Sequence, residues 1–216
     1  MREGSEMQIA IIGAGNVGRA LGSAWSAIDH QVRYGVPDPK SSKYADLGPD
    51  RVGAPADVAR DPEVVVLATP WNAAEAAIRS AGDLASKIVI DCTNPLTMGP
   101  DGLSLAVGHE ISGGEMVARW AIGASVFKTL NQTGAENMAM ARQFAQMPLM
   151  FVAGDDQQRK PVVLKLVGEL GFDAVDAGPL RVARLLEPYA MLWIDQALTR
   201  GAGRNFAYAR VHRRDS

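Results

Sequence analysis

One short run restricts this chain more than any other: Gly13-Ala14-Gly15-Asn16-Val17-Gly18, a G-x-G-x-x-G pattern set between two segments of different periodicity. Before it, Met7-Gln8-Ile9-Ala10-Ile11-Ile12 reads as a buried strand. After it, residues 16–28 read as a helix with Val17, Ala20, Leu21, Ala24 and Trp25 on one face. The spacing alone says little in a chain with 22 glycines; its place between strand and helix makes it specific. The first glycine permits a tight turn, the second lets a pyrophosphate approach the backbone, and the third lets the helix pack closely on the sheet. The helix N-terminus then offers N–H groups and a partial positive charge to an anion. The pattern points to a dinucleotide held by Gly13, Ala14, Gly15, Asn16, Val17 and Gly18.

The rest of the chain continues the alternation. Strands are expected at 31–36, 51–53, 63–68, 87–91, 124–130 and 149–153, with an edge strand at 172–176. Helices are expected from Pro55 and over 71–81, 135–143, 155–170 and 182–199. Asp155 and Asp156 suit the start of the fourth of these, where acids complement the helix dipole. Residues 96–122 read as irregular and glycine-rich, and 204–210 as a short strand. Strongly apolar strands alternating with helices imply a parallel sheet covered on both faces. The expected fold is α/β: a Rossmann-type doubly wound sheet over 7–147, with a small, mainly helical C-terminal domain over 148–216 packed on it.

Composition narrows the class further. The 216 residues carry a formal net charge of -2, which disfavours nucleic acid as a main partner. No stretch approaches the roughly 20 apolar residues of a membrane span, and residues 1–6 read as a polar extension without the apolar core of a signal peptide. The lone Cys92 cannot form an internal disulfide, follows an apolar run, and is expected to be buried. Together these features suggest a cytoplasmic protein with small-molecule partners and no membrane or metal site. Of the histidines, His30, His109 and His212 all read as surface residues.

In such sheets the ligand lies across the C-terminal ends of the strands. Two more ends stand out: Ala68-Thr69-Pro70-Trp71 and Asn94-Pro95. Thr69 is placed to face ribose or pyrophosphate, and Asn94 the nicotinamide end; Trp71 reads equally as a packed aromatic, and Asn94 as a turn residue. The choice of dinucleotide rests on the second strand. NAD-binding domains carry an acid about 20 residues beyond the glycines, but here the strand ends at Gly35-Val36, and Asp38 sits between Pro37 and Pro39. Lys40, Ser41 and Lys43 follow, and cations with a hydroxyl suit a 2'-phosphate. NADP is favoured, and NAD stays open.

Further stretches carry a resemblance. These are Asp91-Cys92-Thr93-Asn94-Pro95-Leu96, Asn131-Gln132-Thr133-Gly134-Ala135-Glu136-Asn137-Met138, Phe151-Val152-Ala153-Gly154-Asp155-Asp156, and Asp176-Ala177-Gly178-Pro179-Leu180 through Leu186-Glu187-Pro188. With the glycine loop and Ala68-Thr69-Pro70-Trp71, the chain resembles the F420-dependent NADP oxidoreductases, especially their bacterial members. That family is in turn similar to the cytoplasmic reductase domain of membrane ferric reductases. The resemblance implies hydride transfer between NADP and a second cofactor, the deazaflavin F420, held by the C-terminal part. It implies that Gly13, Gly15, Asn16, Val17 and Gly18 hold the pyrophosphate, that Thr69, Pro70 and Trp71 line the groove, and that Asn94 and Pro95 lie near the nicotinamide. It also implies that 131–134 face the second substrate, with Asn131 and Thr133 as positioning candidates. Lys128 offers a cation to an acidic partner or is a solvated strand lysine. Pro37 departs from the family, which often has arginine there, and proline offers neither charge nor donor; the 2'-phosphate would then fall to Lys40 and Lys43.

The helix expected at 182–199 is apolar around most of its circumference, so part of it is buried and part is expected to meet a second subunit. The family's dimers agree with that reading. Three functions fit: NADP-dependent transfer of hydride to or from F420 or a flavin-like acceptor, an NADPH-dependent flavin or ferric reductase, and a non-catalytic NADP(H) sensor.

Overall fold

The computed structural model describes residues 6–100 and 102–213. Apart from Glu6, the expected N-terminal extension lies outside them. Among the described residues ten strands form: β1 (Gln8–Ile12), β2 (Gln31–Gly35), β3 (Val52–Gly53), β4 (Val64–Leu67), β5 (Ile88–Asp91), β6 (Leu96–Gly99), β7 (Gly102–Leu105), β8 (Ser125–Lys128), β9 (Leu149–Gly154) and β10 (Asp173–Gly178). The helices are α1 (Asn16–Ser26), α2 (Pro55–Ala59), α3 (Trp71–Ser80), α4 (Gly113–Trp120), α5 (Ala135–Met140), α6 (Lys160–Glu169) and α7 (Ala183–Leu198). Eight strands make one sheet in the order β10-β9-β8-β5-β4-β1-β2-β3, with every pair parallel except β8 and β9. This is the expected Rossmann-type sheet, closed at the C-terminal side by a helical segment, α7.

Successive side chains on a strand point to opposite faces, and β1 shows both faces covered. Ile9 and Ile11 join a core with Trp25, Phe127, Val163 and Leu166, while Ala10 and Ile12 join a second core with Val65, Ala74, Ile78 and Val117. The first core packs α1 and α6 on the sheet; the second packs α3 and α4. This explains why the central strands read as unbroken apolar runs. Trp25 is fully buried, and its indole N–H donates to the Leu166 carbonyl at 3.1 Å, tying α1 to α6.

The structure corrects several expectations. The described residues between 96 and 122 include regular elements, the antiparallel pair β6 and β7 and then α4. Helix α6 begins at residue 160, not 155, because the Asp156 carboxylate instead accepts N–H bonds from Gln158 and Arg159 in a preceding turn. Residues 204–210 form no strand. They lie as a strap whose Phe206 stacks on Trp193 and whose carbonyls at 204 and 206 accept from Asn137; only Tyr208 reaches a strand backbone, accepting from Leu149. His30 is buried, 6% exposed, with Nδ1 accepting from the Met7 amide and Nε2 against Glu169 at 2.9 Å. Lys128 is not solvated but fully buried. Strands β9 and β10 lie beyond residue 147 yet belong to the main sheet, so the sheet runs across the expected domain boundary.

Candidate functional site

The glycine loop joins β1 to α1 as the pattern required. Gly13 has φ +107°, which other residues rarely adopt, and a Cβ there would come within 2.5 Å of the Ala68 carbonyl. A Cβ on Gly18 would come within 2.1 Å of the Gly13 carbonyl, so close contact between helix and loop requires that glycine. Gly15 differs from both. It caps α1 with an extended backbone, and a Cβ there would meet nothing within 4 Å. The protein's own packing does not call for glycine at 15. No side chain caps α1, and its first turn holds no acid. An amphipathic helix thus starts with its N–H groups unserved by any side chain among the described residues, beside an exposed backbone.

Arg19, which the sequence reading did not single out, braces this loop. Its Nε donates to the Ala14 carbonyl at 3.0 Å, one Nη to the Lys43 carbonyl at 2.9 Å, and the other to Asp46. That bond holds the Asp46 carboxyl below its ordinary value. The glycine loop is therefore fastened to the segment carrying Lys40, Ser41 and Lys43. Asp38 accepts from the Lys40 amide at 3.2 Å, Ser41 caps the 3-10 turn Ser42–Leu47, and the Lys40 and Lys43 side chains are exposed. Between the ends of β1 and β2 with Pro37 and Pro55 on one side and α3 on the other lies an apolar cleft of about 430 Å³, lined by Gly13, Gly35, Pro37, Pro55, Thr69 and Ala73. Ala68 and Thr69 follow β4, and the buried Thr69 hydroxyl finds no hydrogen-bond partner among the described residues. Pro70 precedes α3. Trp71 opens it, packs on Trp120 with centroids 5.4 Å apart, and lies against Gly113.

At the next edge, Asn94 and Asn131 meet although they are 37 residues apart. Asn94 Nδ2 donates to the Asn131 carbonyl at 2.8 Å, and Asn131 Nδ2 donates to Asn94 Oδ1 at 3.0 Å. Pro95 is buried beside them. Thr133 makes no hydrogen bond to this pair among the described residues and accepts from Asn137 at 2.9 Å. Below the pair sits a charge cluster of Asp91, Lys128 and Glu187, each at most 1% exposed. Burial alone would lower the Lys128 ammonium pKa, but the two carboxylates outweigh it and hold the pKa above its ordinary value. Glu187 also accepts from the amides of Gly113 and Gly114 at 2.9 and 3.0 Å, closing the start of α4. Cys92 is buried in the same region, and burial pushes its thiol pKa up, away from nucleophilic chemistry.

A larger cleft, about 770 Å³, lies between the segment after β7 and the outer face of α7, lined by Val107, His109, Arg181, Arg184, Leu185 and Met191. Arg184 pairs with Glu115 at 2.7 Å, and that bond holds the Glu115 carboxyl down at about 2. Among the described residues no helix is long and apolar enough to cross a membrane, and no group of three or more side chains is arranged to hold a metal.

Comparison with known proteins agrees with this geometry. The family of coenzyme F420-dependent NADP oxidoreductases matches residues 8–95. A solved structure of a proposed F420-dependent NADP reductase from Arthrobacter sp. FB24 is 32% identical, covers 95% of this chain and 100% of its own, and superposes with a TM-score of 0.87. The metalloreductase STEAP3 of Rattus norvegicus is 25% identical over 182 residues, covering 83% of this chain; the chain spans 36% of that relative's length. A reductive aminase from Aspergillus terreus, solved with NADPH, shares the fold at 15% identity and a TM-score of 0.66, over 91% of this chain and 64% of its own. The chain belongs to the coenzyme F420-dependent NADP oxidoreductase family and is an NAD(P)-dependent oxidoreductase.

Proposed function

We propose that this enzyme binds NADP(H) along the ends of β1, β2, β4 and β5, and passes hydride between it and F420 or a flavin-like acceptor. The observation that carries the reading is Gly15: the protein leaves space beside an uncapped helix start, where only a ligand would need a bare backbone. The unpartnered Thr69 hydroxyl is a second group suited to a ligand's polar atoms. Gly13 through Gly18 would hold the pyrophosphate, and the apolar cleft beside Pro37 would take the adenine end. Lys40, Ser41 and Lys43 would meet the 2'-phosphate in place of a charge at Pro37. Ala68, Thr69, Pro70 and Trp71 would line the groove, with Asn94, Pro95, Asn131 and Thr133 toward the reacting end.

The bound dinucleotide supplies the hydride. The chain's own residues orient it and exclude water, and positioning of this kind provides much of such catalysis. We assign the second substrate to the C-terminal part, residues 148–216, on the side of α7 that faces the Asn94–Asn131 pair. Leu185, Leu192 and Leu198 are 69%, 51% and 60% exposed along α7, which supports a homodimer. The single buried thiol fits the reducing cytoplasm we assign to it.

The similarity to a metalloreductase favours a second reading, NADPH-dependent reduction of a flavin or ferric chelate. Mixing the purified protein with NADPH and F420, FMN or a ferric chelate in turn separates the two. Absorbance change at the deazaflavin band supports the first reading. NADPH loss with FMN fits either reading, NADPH loss with the ferric chelate alone supports the second, and no turnover with any acceptor contradicts both.

A further inference from the structure

The four residues from 128 to 131 combine three features that cost stability. Lys128 is fully buried, and taking an ammonium out of water is expensive even when it is paired. The buried Thr129 hydroxyl has no partner among the described residues. Leu130 is fully buried at φ +55°, a backbone conformation that strains a branched side chain. A neutral apolar edge would generally be as stable or more so. Strain and buried charge gathered in one place are expected where geometry serves function.

The three donors of Lys128 are all used, and each reaches a different part of the molecule. One goes to Asp91 at the end of β5 at 2.9 Å, one to the Thr93 carbonyl beside Asn94, and one to Glu187 on α7 at 3.1 Å. Asp91 in turn accepts from the Thr93 amide and hydroxyl at 2.9 and 2.7 Å, so the backbone leading to Asn94 is held from both sides. The turn at Leu130 brings Asn131 to Asn94, and Asn131 Nδ2 also lies 3.5 Å from the Leu186 carbonyl. On α7, Leu186 and Glu187 face this edge, so the helix that bounds the second substrate's side is fixed to the same cluster.

We propose that Lys128 is a positioning residue that sets the Asn94–Asn131 pair and α7 in one fixed relation, so that the two reactants meet at hydride-transfer distance. The proposal rests on the hydride-transfer reading above. Lys128 touches neither reactant. Its effect comes through Thr93 on one side and Glu187 on the other. Cofactor affinity depends on the glycine loop and should be nearly independent of it. The transfer step is sensitive, because a displacement of about 1 Å between reactants can cost about 100-fold in rate.

The test uses the full chain as Lys128→Met and as Glu187→Gln, the second keeping side-chain shape while removing one charge. NADPH affinity is measured by calorimetry, and single-turnover oxidation is measured with FMN or F420, whichever the wild type accepts, using NADPH and its 4-deuterated forms. We expect affinity to change by less than about threefold, the transfer rate to fall about tenfold or more, and the primary isotope effect on steady-state turnover to rise as transfer becomes limiting. A purely structural role would lower the melting temperature or the active fraction and leave the rate and isotope effect per folded site unchanged. That result in Lys128→Met overturns the proposal. If Lys128→Met does not fold, the same result in Glu187→Gln overturns it. A wild type that transfers no hydride to any acceptor refutes the underlying reading instead.

Discussion

Helices α1 and α4 both start at glycines beside the edge of the sheet, and they treat that start in opposite ways. At α4, Ser112 and Glu115 form a reciprocal capping box, and Glu187 reaches in from α7 to take the amides of Gly113 and Gly114. Protein fills the space beside those glycines: a Cβ on Gly113 would come within 3.1 Å of both Glu187 and Trp71. At α1 there is no side-chain cap and no acid in the first turn, and a Cβ on Gly15 would touch nothing. Both ends carry the same partial positive charge. One is satisfied within the chain and serves to fasten α7. The other is left to an anion from outside. The difference teaches how to tell a structural helix start from a binding one: by what surrounds the first amides, not by the glycines themselves.

If α4 is held closed by carboxylates, breaking that closure should cost stability, most of all at Glu187. Glu187→Ala leaves Lys128 with one carboxylate and strands two buried amides. We expect a loss of about 3–5 kcal/mol in urea unfolding; a loss below about 1 kcal/mol would mean the cluster is not holding the fold. The capping box is a smaller contribution. Ser112→Ala should cost about 1 kcal/mol, and no change in the unfolding midpoint would show the cap to be idle. Smallest is the Glu115–Arg184 pair, which is partly exposed. Its carboxyl titrates at about 2, below an ordinary value of 4.5, so its contribution is complete above pH 4.5 and fades as pH falls toward 2. The gap in melting temperature between wild type and Glu115→Gln should be constant from neutral pH to about 4.5 and close below it. A gap that persists at pH 2.5 unchanged would contradict the assignment.

The same contrast explains what the sequence made legible. The α1 start was readable because all its determinants are local: apolar strand, three spaced glycines, amphipathic helix. The parallel direction implied by the alternation puts the residues that follow β4, β5 and β8, among them Thr69, Asn94 and Asn131, at one side of the sheet. The α4 start had a local signal too, since Ser112-Gly113-Gly114-Glu115 fits the S-x-x-E pattern and Pro-Asp-Gly at 100–102 is a turn signal. Those signals were masked by the density of glycines around them. The rest could not be read locally. Whether Lys128 is solvated depends on Asp91 and Glu187, 37 residues before it and 59 after it in sequence. His30 looks like a helix-end surface residue until α6 places Glu169 against it. The strap at 204–210 has the composition of a strand, but aromatic stacking and Asn137 anchor it instead.

The central claim is that glycine stands at position 15 for a diphosphate and not for the fold. Calorimetric titration of Gly15→Glu with NADPH, alongside its thermal unfolding, tests that directly. The account predicts affinity weakened by about 100-fold or more, some 3 kcal/mol, with a melting temperature close to that of the wild type. Undiminished NADPH affinity in the folded variant would contradict it.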